Sequence, residues 1–308
     1  MSASRVTPIH SPAVAGNALA LHARTRRLLS DYLELTKPKV QSLLLFTTVT
    51  TMEIAGSPSV VKIGLTCLGG YLSAGGAGAV NHYYDRDIDA QMKRTASRPI
   101  PAGRITPRAA LTFGLTLAAL SFVLMWTCLN LLAASLSLAG FLGYVGVYTI
   151  WLKRRTPQNI VIGGAAGAVP PLVGWAATRG SISWTAVYLF AIVFYWTPPH
   201  FWALSLLMKD EYARVSVPMM PVARGERETR RQILLYTLLL YAISQLPFCA
   251  GAFGGTYLIG SMVLGLAFLG GAWRLYRRAD RRAALQLYLF SLAYLALLFG
   301  AMVADVKL

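Results

Sequence analysis

One acidic segment of the sequence, NHYYDRDIDA, begins at Asn81 and directly follows an apolar, glycine-rich run. Asn81, Asp85 and Asp89 recur every four residues, so a helix would place their side chains along one face, with Asp87 pointing elsewhere. Amide and carboxylate oxygens at a water interface suit Mg²⁺, which keeps several waters and shares its coordination with substrate phosphates. The spacing therefore predicts a site for a magnesium-bound diphosphate.

Basic residues follow this acidic motif in KRTASRPIPAGR, residues 93–104. Acids at a helix C-terminus oppose the helix dipole and repel each other at i, i+4, so positive charge is expected beside them. Two sources are open at this point: ordinary ion pairs with the basic residues, or a divalent cation. In the second case Lys93, Arg94 and Arg98 would neutralise the phosphate oxygens that the metal does not reach.

The elements that must position these residues are membrane helices. The chain has 308 residues, of which 56% are hydrophobic and 13% charged, about half the charged fraction of a soluble domain, which is ~25%. Apolar stretches long enough to span a bilayer recur along its length. The sequence predicts an all-α integral membrane protein, a bundle of nine transmembrane helices, over residues 40–56, 61–82, 108–127, 129–151, 159–177, 183–208, 231–251, 254–273 and 283–304. Short connectors favour one membrane domain, residues 30–308, after a disordered cytosolic tail, residues 1–29.

The distribution of basic residues predicts the orientation. The net charge is +17, and of 29 Lys and Arg only Lys62, Arg179 and Lys307 fall outside the tail and the connectors after even-numbered spans. This asymmetry follows the positive-inside rule and predicts a cytoplasmic N-terminus. Attraction to the anionic lipids of the bilayer accounts for most of the charge, so nucleic acid is not an expected partner.

A second polar cluster lies after span 6, on the same predicted side of the membrane as the first. Asp210 is a candidate fourth metal ligand or phosphate anchor, with Lys209, Tyr212 and Arg214 as neighbours. A transporter could also place acids near broken helices, but its site is expected near the midplane, whereas both clusters lie at the cytoplasmic surface. The positions therefore favour an enzyme.

The stretch NHYYDRDIDAQMKRTASRPIPAGRI resembles the N-x-x-x-D-x-x-x-D signature and following R-P-[IL] segment of the intramembrane UbiA-type prenyltransferases. In these nine-helix enzymes, acidic residues bind Mg²⁺ and a prenyl diphosphate, which implies that role for Asn81, Asp85 and Asp89. The second motif of the family often reads D-x-x-x-D, whereas here Arg214 follows Asp210 at that spacing. A second complete metal site is therefore not implied.

Further blocks resemble the protohaem IX farnesyltransferase branch of that family: DYLELTKPKV at 31, RRTPQNIVIGGAAGAVPPLVGW at 154 and YWTPPHFWALSLLMKDEYARVSVPMMPV at 195. The resemblance implies conversion of haem B, farnesyl diphosphate and water to haem O and diphosphate. A quinone- or chlorophyll-type prenyltransferase would share the metal site, but the TPPHFW block at residues 197–202 favours the protohaem IX farnesyltransferase branch. A bacterial inner membrane, an active site near its cytoplasmic side and a downstream haem A synthase or oxidase assembly partner are also expected.

The resemblance extends the candidate site beyond the acids. His200 follows Pro198-Pro199, which are expected to break span 6, and an ionisable residue beside such a break is a candidate for binding haem iron or a propionate. A hydrogen bond to a freed carbonyl is the alternative for His200. The candidate substrate-binding residues are Lys37, Lys93, Arg94, Arg98, Lys153, Asn159, Trp196, His200, Lys209, Tyr212 and Arg214.

Overall fold

The structure, a computed structural model, describes the backbone of residues 12–308 and the side chains from residue 24 onward, and throughout that part of the chain the secondary structure is helical. The helices are α1 (Pro12–Leu35), α2 (Pro38–Ala55), α3 (Val60–Tyr84), α4 (Arg86–Gln91), α5 (Pro107–Cys128), α6 (Leu131–Leu142), α7 (Asn159–Arg179), α8 (Trp184–Leu207), α9 (Lys209–Arg214), α10 (Met220–Ala223), α11 (Gly225–Cys249), α12 (Gly255–Arg278) and α13 (Arg281–Lys307). A π-helical segment, Gly143–Leu152, directly continues α6.

The predicted spans correspond to helices of the bundle. By length and hydropathy, seven helices in the described part of the chain can cross a membrane: α3, α5, α6 with its π-helical continuation, α7, α11, α12 and α13. The other two predicted spans are α2 and α8, whose hydropathy is reduced by threonine, lysine and glutamate in α2 and by proline, histidine and aromatic residues in α8. The all-helical membrane architecture is therefore confirmed, and the count of nine crossings stays a prediction.

The N-terminal region differs from the sequence expectation. Residues 12–29 of the predicted disordered tail belong to α1, which continues without a break across the expected boundary at residue 30. The alanines, leucines and arginines of this segment are good helix formers, which explains the extension. Residues 1–11 lie outside the described part of the chain.

Small residues bring α3 close to its neighbours and so fix the end of the helix that carries the acidic motif. A Cβ atom built on Gly76 would lie 2.6 Å from the Gly114 carbonyl oxygen of α5, and one built on Gly114 would lie 2.8 Å from the Gly76 oxygen. The two backbones thus pack directly against each other. Such close approach is the usual role of small residues between membrane helices.

The two ends of the bundle differ in chemistry. Lys37, just before α2, contacts Asn81 of α3, whereas Glu53, near the other end of α2, pairs with Lys307 at 3.0 Å. An α-helix of this length, 18 residues, is about 27 Å long. The acidic motif and the Glu53–Lys307 ion pair therefore lie at opposite ends of the bundle.

Candidate active site

The three residues of the acidic motif lie together at the end of α3. The helix ends at Tyr84, but hydrogen bonds from Asp85 N–H to the Asn81 carbonyl (2.9 Å) and from Asp89 N–H to the Asp85 carbonyl (2.8 Å) continue the helical path into α4. All three motif side chains are buried, and Asn81 Nδ2 donates to Asp85 Oδ2 at 2.7 Å. The predicted common face is therefore present although the helix is interrupted.

Asp87 lies apart from this face, as its spacing predicts. Its side chain is 57% exposed, and its carboxylate accepts two hydrogen bonds from the Arg154 guanidinium, both at 2.7 Å. These bonds are the main reason that the pKa of Asp87 is lowered from its usual value. Arg154 Nη2 also lies 3.7 Å from Asp85 Oδ1, so Asp87 shares its cation with the motif but differs from Asp85 and Asp89 in being exposed.

Three cations surround the buried acids. Lys153 forms an ion pair with Asp85, and the Arg98 guanidinium lies 2.6 Å from an Asp89 carboxylate oxygen. Lys37 Nζ donates to Asn81 Oδ1 at 2.5 Å. These three cations come from separate segments of the chain. Lys37 precedes α2, Arg98 follows α4 and Lys153 follows the π-helical segment, and all three contact the motif.

Lys37 has an unusual backbone conformation and a lowered pKa. It adopts the left-handed conformation (φ 54°) between α1 and α2, a sparsely populated region for a non-glycine residue. Its pKa is lowered to about 7, first by burial and then by the nearby charges of Arg98 and Lys153. A bound anion would oppose both effects and favour the charged form of the lysine.

The π-helical segment supplies further polar groups to the site. Thr149 Oγ1 accepts from Asn81 Nδ2 at 3.2 Å, and Lys37 Nζ donates to the Tyr144 hydroxyl at 3.4 Å. Asn159, at the start of α7, donates to the Lys153 carbonyl at 3.2 Å. Widened helical turns are often found at functional sites because they redirect side chains.

Several buried polar atoms of this cluster have no partner within the described residues. Asp85 Oδ1, Asn159 Oδ1 and both ring nitrogens of His82 accept or donate no hydrogen bond. Buried polar groups in proteins are usually hydrogen-bonded, so these atoms are available to a polar ligand. A carboxylate oxygen without a hydrogen bond, in a motif with a second buried carboxylate, fits Mg²⁺, which takes one or two protein carboxylates and completes its shell with water and phosphate.

The structure separates the remaining basic candidates. Arg98 reaches the acidic motif, whereas Lys93 and Arg94, predicted to act with it, are exposed and make no hydrogen bond or ion pair within the described residues. The loop after α4 turns between these positions: Thr95 is fully buried, and its Oγ1 donates to the Asp89 carbonyl at 2.9 Å. The turn directs one arginine inward and leaves the other two basic residues outside.

The second acidic cluster is not brought into contact with the first. Asp210 and Arg214 of α9 are exposed and unpaired within the described residues, and Lys209 instead forms a 3.0 Å ion pair with Glu226. α9 is a separate six-residue helix after the end of α8, so its side chains do not continue the face of α8. Only Tyr212 of this group packs into the hydrophobic core.

His200 lies in an aromatic sandwich. α8 continues through Pro198 and Pro199, so the expected break is absent. The His200 ring stacks on Trp196 (centroids 4.3 Å apart) and on Tyr288 (4.9 Å). The alternative hydrogen bond to a freed carbonyl is replaced by a contact with the Ser291 hydroxyl.

Ser291 determines which ring nitrogen of His200 carries the proton. His200 Nδ1 and Ser291 Oγ lie 2.7 Å apart, and Ser291 Oγ donates its only hydrogen to the Tyr288 carbonyl at 2.6 Å. The Ser291 oxygen must therefore accept from Nδ1–H. In the neutral ring, the lone pair is then on Nε2, which is the form that binds a metal.

Residues 43–298 match the model of the UbiA prenyltransferase family. The chain belongs to this family. Among curated relatives, it is 56% identical over 282 residues to a protoheme IX farnesyltransferase of Chloroflexus aurantiacus, covering 91% of this chain and 48% of the relative. It is 51% identical over 286 residues to a protoheme IX farnesyltransferase of Synechococcus sp., covering 92% and 86% respectively. The chain spans about half the length of the first of these relatives.

A solved structure supports the same fold. The chain aligns with a UbiA homolog from Archaeoglobus fulgidus, described as bound to DMAPP and Mg²⁺, with a TM-score of 0.64 and 15% sequence identity. The alignment covers 88% of this chain and 99% of that protein. This likeness establishes the UbiA architecture of the bundle.

Our sequence reasoning missed several residues of the site. Thr149, Tyr144 and Arg154 contact motif residues or their partners, and Ser291 orients His200. Ser291 is 91 positions from His200, and Thr149 is 68 positions from Asn81. The available signal was the basic run KRR at residues 153–155, of which Lys153 was a predicted substrate-binding residue and Arg154 was not.

Proposed function

We propose that the protein transfers the farnesyl group of farnesyl diphosphate to a vinyl group of haem B, with addition of water, to give haem O and diphosphate. The observation that carries this proposal is the buried set Asn81, Asp85 and Asp89 at the end of α3, which lies among Lys37, Lys153 and Arg98 and includes a carboxylate oxygen that accepts no hydrogen bond. Relatives that are 56% and 51% identical to this chain are named protoheme IX farnesyltransferase, which supports haem B as the acceptor.

The proposed metal ligands are Asn81, Asp85 and Asp89. Asp85 Oδ1 supports this assignment because it is buried, accepts no hydrogen bond and lies 3.7 Å from Arg154 Nη2, too far for one. Mg²⁺, when bound, would neutralise charge on the diphosphate oxygens. Asp210 lies exposed on α9 and belongs to the proposal as a further ligand that would join the site through Mg²⁺ when the diphosphate is bound.

The chain's own cations would favour departure of the diphosphate. The farnesyl C–O bond breaks, and its electron pair leaves with the diphosphate, so negative charge grows where Lys37, Lys153 and Arg98 converge. Preorganised positive groups in a site shielded from water stabilise such developing charge. The resulting allylic cation forms a carbon–carbon bond with the terminal vinyl carbon, and water then adds to the other vinyl carbon and releases a proton.

The order of these events depends on exclusion of water. Early entry of water would capture the allylic cation as farnesol. The buried positions of Asn81, Asp85 and Asp89 support a shielded site for ionisation. Lys93, Arg94, Lys209 and Arg214 are solvent-exposed, or partly so in the case of Lys209, and are proposed to attract the diphosphate rather than to hold it.

His200 is the proposed haem ligand, with Trp196 beside it. A metal-binding histidine commonly donates its other ring N–H to a fixed acceptor, which sets its orientation. The Ser291 hydroxyl supplies that acceptor, and stacking on Trp196 and Tyr288 fixes the ring plane. In this tautomer Nε2 carries the lone pair and would bind haem iron, whereas binding of a propionate would require a second proton on Nε2.

The proposed topology has nine crossings, a cytoplasmic N-terminus and an active site near the cytoplasmic side of a bacterial inner membrane. Two observations support it. The acidic motif and the Glu53–Lys307 pair lie at opposite ends of the bundle, and basic residues are concentrated in the connectors at the end that carries the motif. A haem A synthase or oxidase assembly factor is the proposed recipient of the product.

Substrate choice tests the proposal. The purified protein is incubated with farnesyl diphosphate and Mg²⁺, in parallel with haem B or with 4-hydroxybenzoate, and the products are identified by mass spectrometry. We expect haem O from the first incubation and no prenylated benzoate from the second. The reverse result would assign the protein to the quinone-type branch.

A further inference from the structure

We propose that the ion pair between Asp31 and Arg104 positions two cations of the diphosphate site, Lys37 and Arg98, an inference that rests on the proposed function. Arg104 Nε donates to Asp31 Oδ1 at 2.8 Å, and Arg104 Nη2 lies 3.6 Å from Glu34 Oε2. Asp31 is only 7% exposed. The pair joins α1 to the loop that follows the acidic motif, 73 positions later in the chain.

On the loop side, Arg104 holds the segment that carries Arg98. Arg104 Nη1 donates to the Ser97 carbonyl at 3.0 Å, directly before Arg98. Arg98 in turn binds the Asp89 carboxylate at 2.6 Å. Any shift of the Arg104 side chain is therefore passed to the peptide that orients the inward-pointing arginine.

On the helix side, α1 leads directly to Lys37. The end of α1 is fixed by Gly78 of α3, since a Cβ atom there would lie 3.0 Å from the Leu35 carbonyl oxygen. Gln41 Nε2 donates to the Thr36 carbonyl at 2.9 Å, next to Lys37. Lys37 then reaches Asn81 at 2.5 Å. Asp31 and Lys37 thus belong to one continuous, anchored segment.

Apolar contacts hold the same two segments together. Ile100 and Ile105 of the loop are buried in one cluster with Leu35 of α1 and Ala110 of α5. Apolar packing holds the loop against α1 but does not fix its exact position, whereas a guanidinium–carboxylate contact has a defined geometry. We therefore infer that the apolar cluster stabilises the contact between loop and helix and that the Asp31–Arg104 pair fixes the position of the loop.

Arg104 and Asp31 are thus positioning residues for Arg98 and Lys37. Without the pair, Arg98 and Lys37 remain in the chain, but their charges no longer converge at fixed positions. Asp31→Asn and Arg104→Gln should each weaken diphosphate binding by about tenfold, because charge-assisted contacts to phosphate depend on geometry. Haem binding, proposed at α8, should be unchanged.

The test uses the full chain in detergent. Binding of inorganic diphosphate with Mg²⁺ is measured by calorimetry for the wild type, Asp31→Asn, Arg104→Gln and the exchanged pair Asp31→Arg/Arg104→Asp. Hydrogen–deuterium exchange of residues 92–105 is recorded on the same samples. Arg108→Gln is the matched control, because Arg108 is an exposed arginine four residues away that makes no hydrogen bond or ion pair within the described residues.

We expect weaker diphosphate binding and faster exchange in both single variants, recovery of both in the exchanged pair, and wild-type behaviour in Arg108→Gln. Wild-type affinity and exchange in the single variants would overturn the positioning role. Faster exchange with unchanged affinity would also overturn it, since the pair would then only stabilise the loop. If the wild type itself bound no diphosphate, the proposed function would be refuted. The wild-type measurement therefore separates failure of the proposed function from failure of the positioning role.

Discussion

The Arg98 guanidinium lies 2.6 Å from a carboxylate oxygen of Asp89, although the two residues are on different segments of the polypeptide. Lys153 contacts Asp85 in the same manner. Each buried acid of the motif therefore pairs with a cation, and Arg154 Nη2 lies a further 3.7 Å from Asp85 Oδ1. Asp85 Oδ1 nevertheless accepts no hydrogen bond. The ion pairs foreseen as an alternative to a metal are thus present, and they leave a ligand oxygen available.

The motif acids should differ sharply in their importance for catalysis. We expect Asp85→Asn and Asp89→Asn to lower haem O formation by about 100-fold or more, since each removes a carboxylate that is proposed to hold Mg²⁺ and that pairs with Lys153 or Arg98. Asp87→Asn should change it by less than about threefold, because an exposed ion pair contributes little. Initial rates of haem O formation, measured by chromatography and mass spectrometry, check this prediction. Equal losses at all three positions would contradict the assignment by helix face.

Ser291 should influence haem binding through His200. We expect Ser291→Ala to weaken haem B affinity by about tenfold. Without the Ser291 acceptor for Nδ1–H, the His200 ring can adopt the other tautomer and other orientations. Titration of the Soret band with haem B measures the affinity. Farnesyl diphosphate binding should be unchanged in this variant.

The comparison with His200→Ala makes this test specific. His200→Ala should show at least the same loss of haem affinity, and the double variant should be no worse than His200→Ala alone, since both changes act on one ligand. Additive losses would show that Ser291 acts independently of His200. An unchanged Soret band and affinity in both variants would contradict the assignment of His200 as a haem ligand.

Magnesium removal should separate the two substrates. With excess EDTA, we expect prenyl transfer to stop and to resume on addition of MgCl₂, because the diphosphate site requires the cation. Haem B affinity, measured by the Soret titration, should be the same in both conditions. Full activity in EDTA would show that Lys37, Lys153 and Arg98 alone support ionisation.

The contact between α3 and α5 should be sensitive to a single methyl group. Gly76→Ala places a Cβ atom 2.6 Å from the Gly114 carbonyl oxygen, and forced overpacking of this kind costs roughly 1–3 kcal/mol. Gly64→Ala in the same helix is the control, since nothing lies within 4 Å of its Cβ position. The apparent thermal unfolding midpoint in detergent should fall for Gly76→Ala and not for Gly64→Ala. Equal midpoints would contradict the direct backbone packing.

The part of the site that the sequence could predict is local in the chain. A four-residue spacing was sufficient to place Asn81, Asp85 and Asp89 on one face and Asp87 off it, because helical geometry alone determines the result. The same periodicity and hydropathy predicted an all-helical membrane protein. The helical extension of α1 to Pro12 was missed since the absence of a long apolar run was interpreted as disorder.

The remainder depends on contacts between distant segments. Lys93, Arg94 and Arg98 were indistinguishable as sequence, and only the buried turn at Thr95 decides which of them points inward. The Ser291–His200 contact joins α13 to α8 across 91 positions. The prolines at 198 and 199 predicted a break, but the packed neighbours of α8 retain the helix. Propensity is a weak guide where tertiary packing opposes it.

In the proposed reaction, a farnesyl cation formed at the acidic motif is captured by a haem vinyl group before water adds. Incubation of the purified protein with haem B, farnesyl diphosphate and Mg²⁺ in ¹⁸O-labelled water, followed by determination of the product mass, tests this order directly. We expect a haem product that carries one farnesyl group and one ¹⁸O atom, and about 100-fold less of it, or none, from Asp85→Asn. Labelled farnesol without a prenylated haem would contradict it.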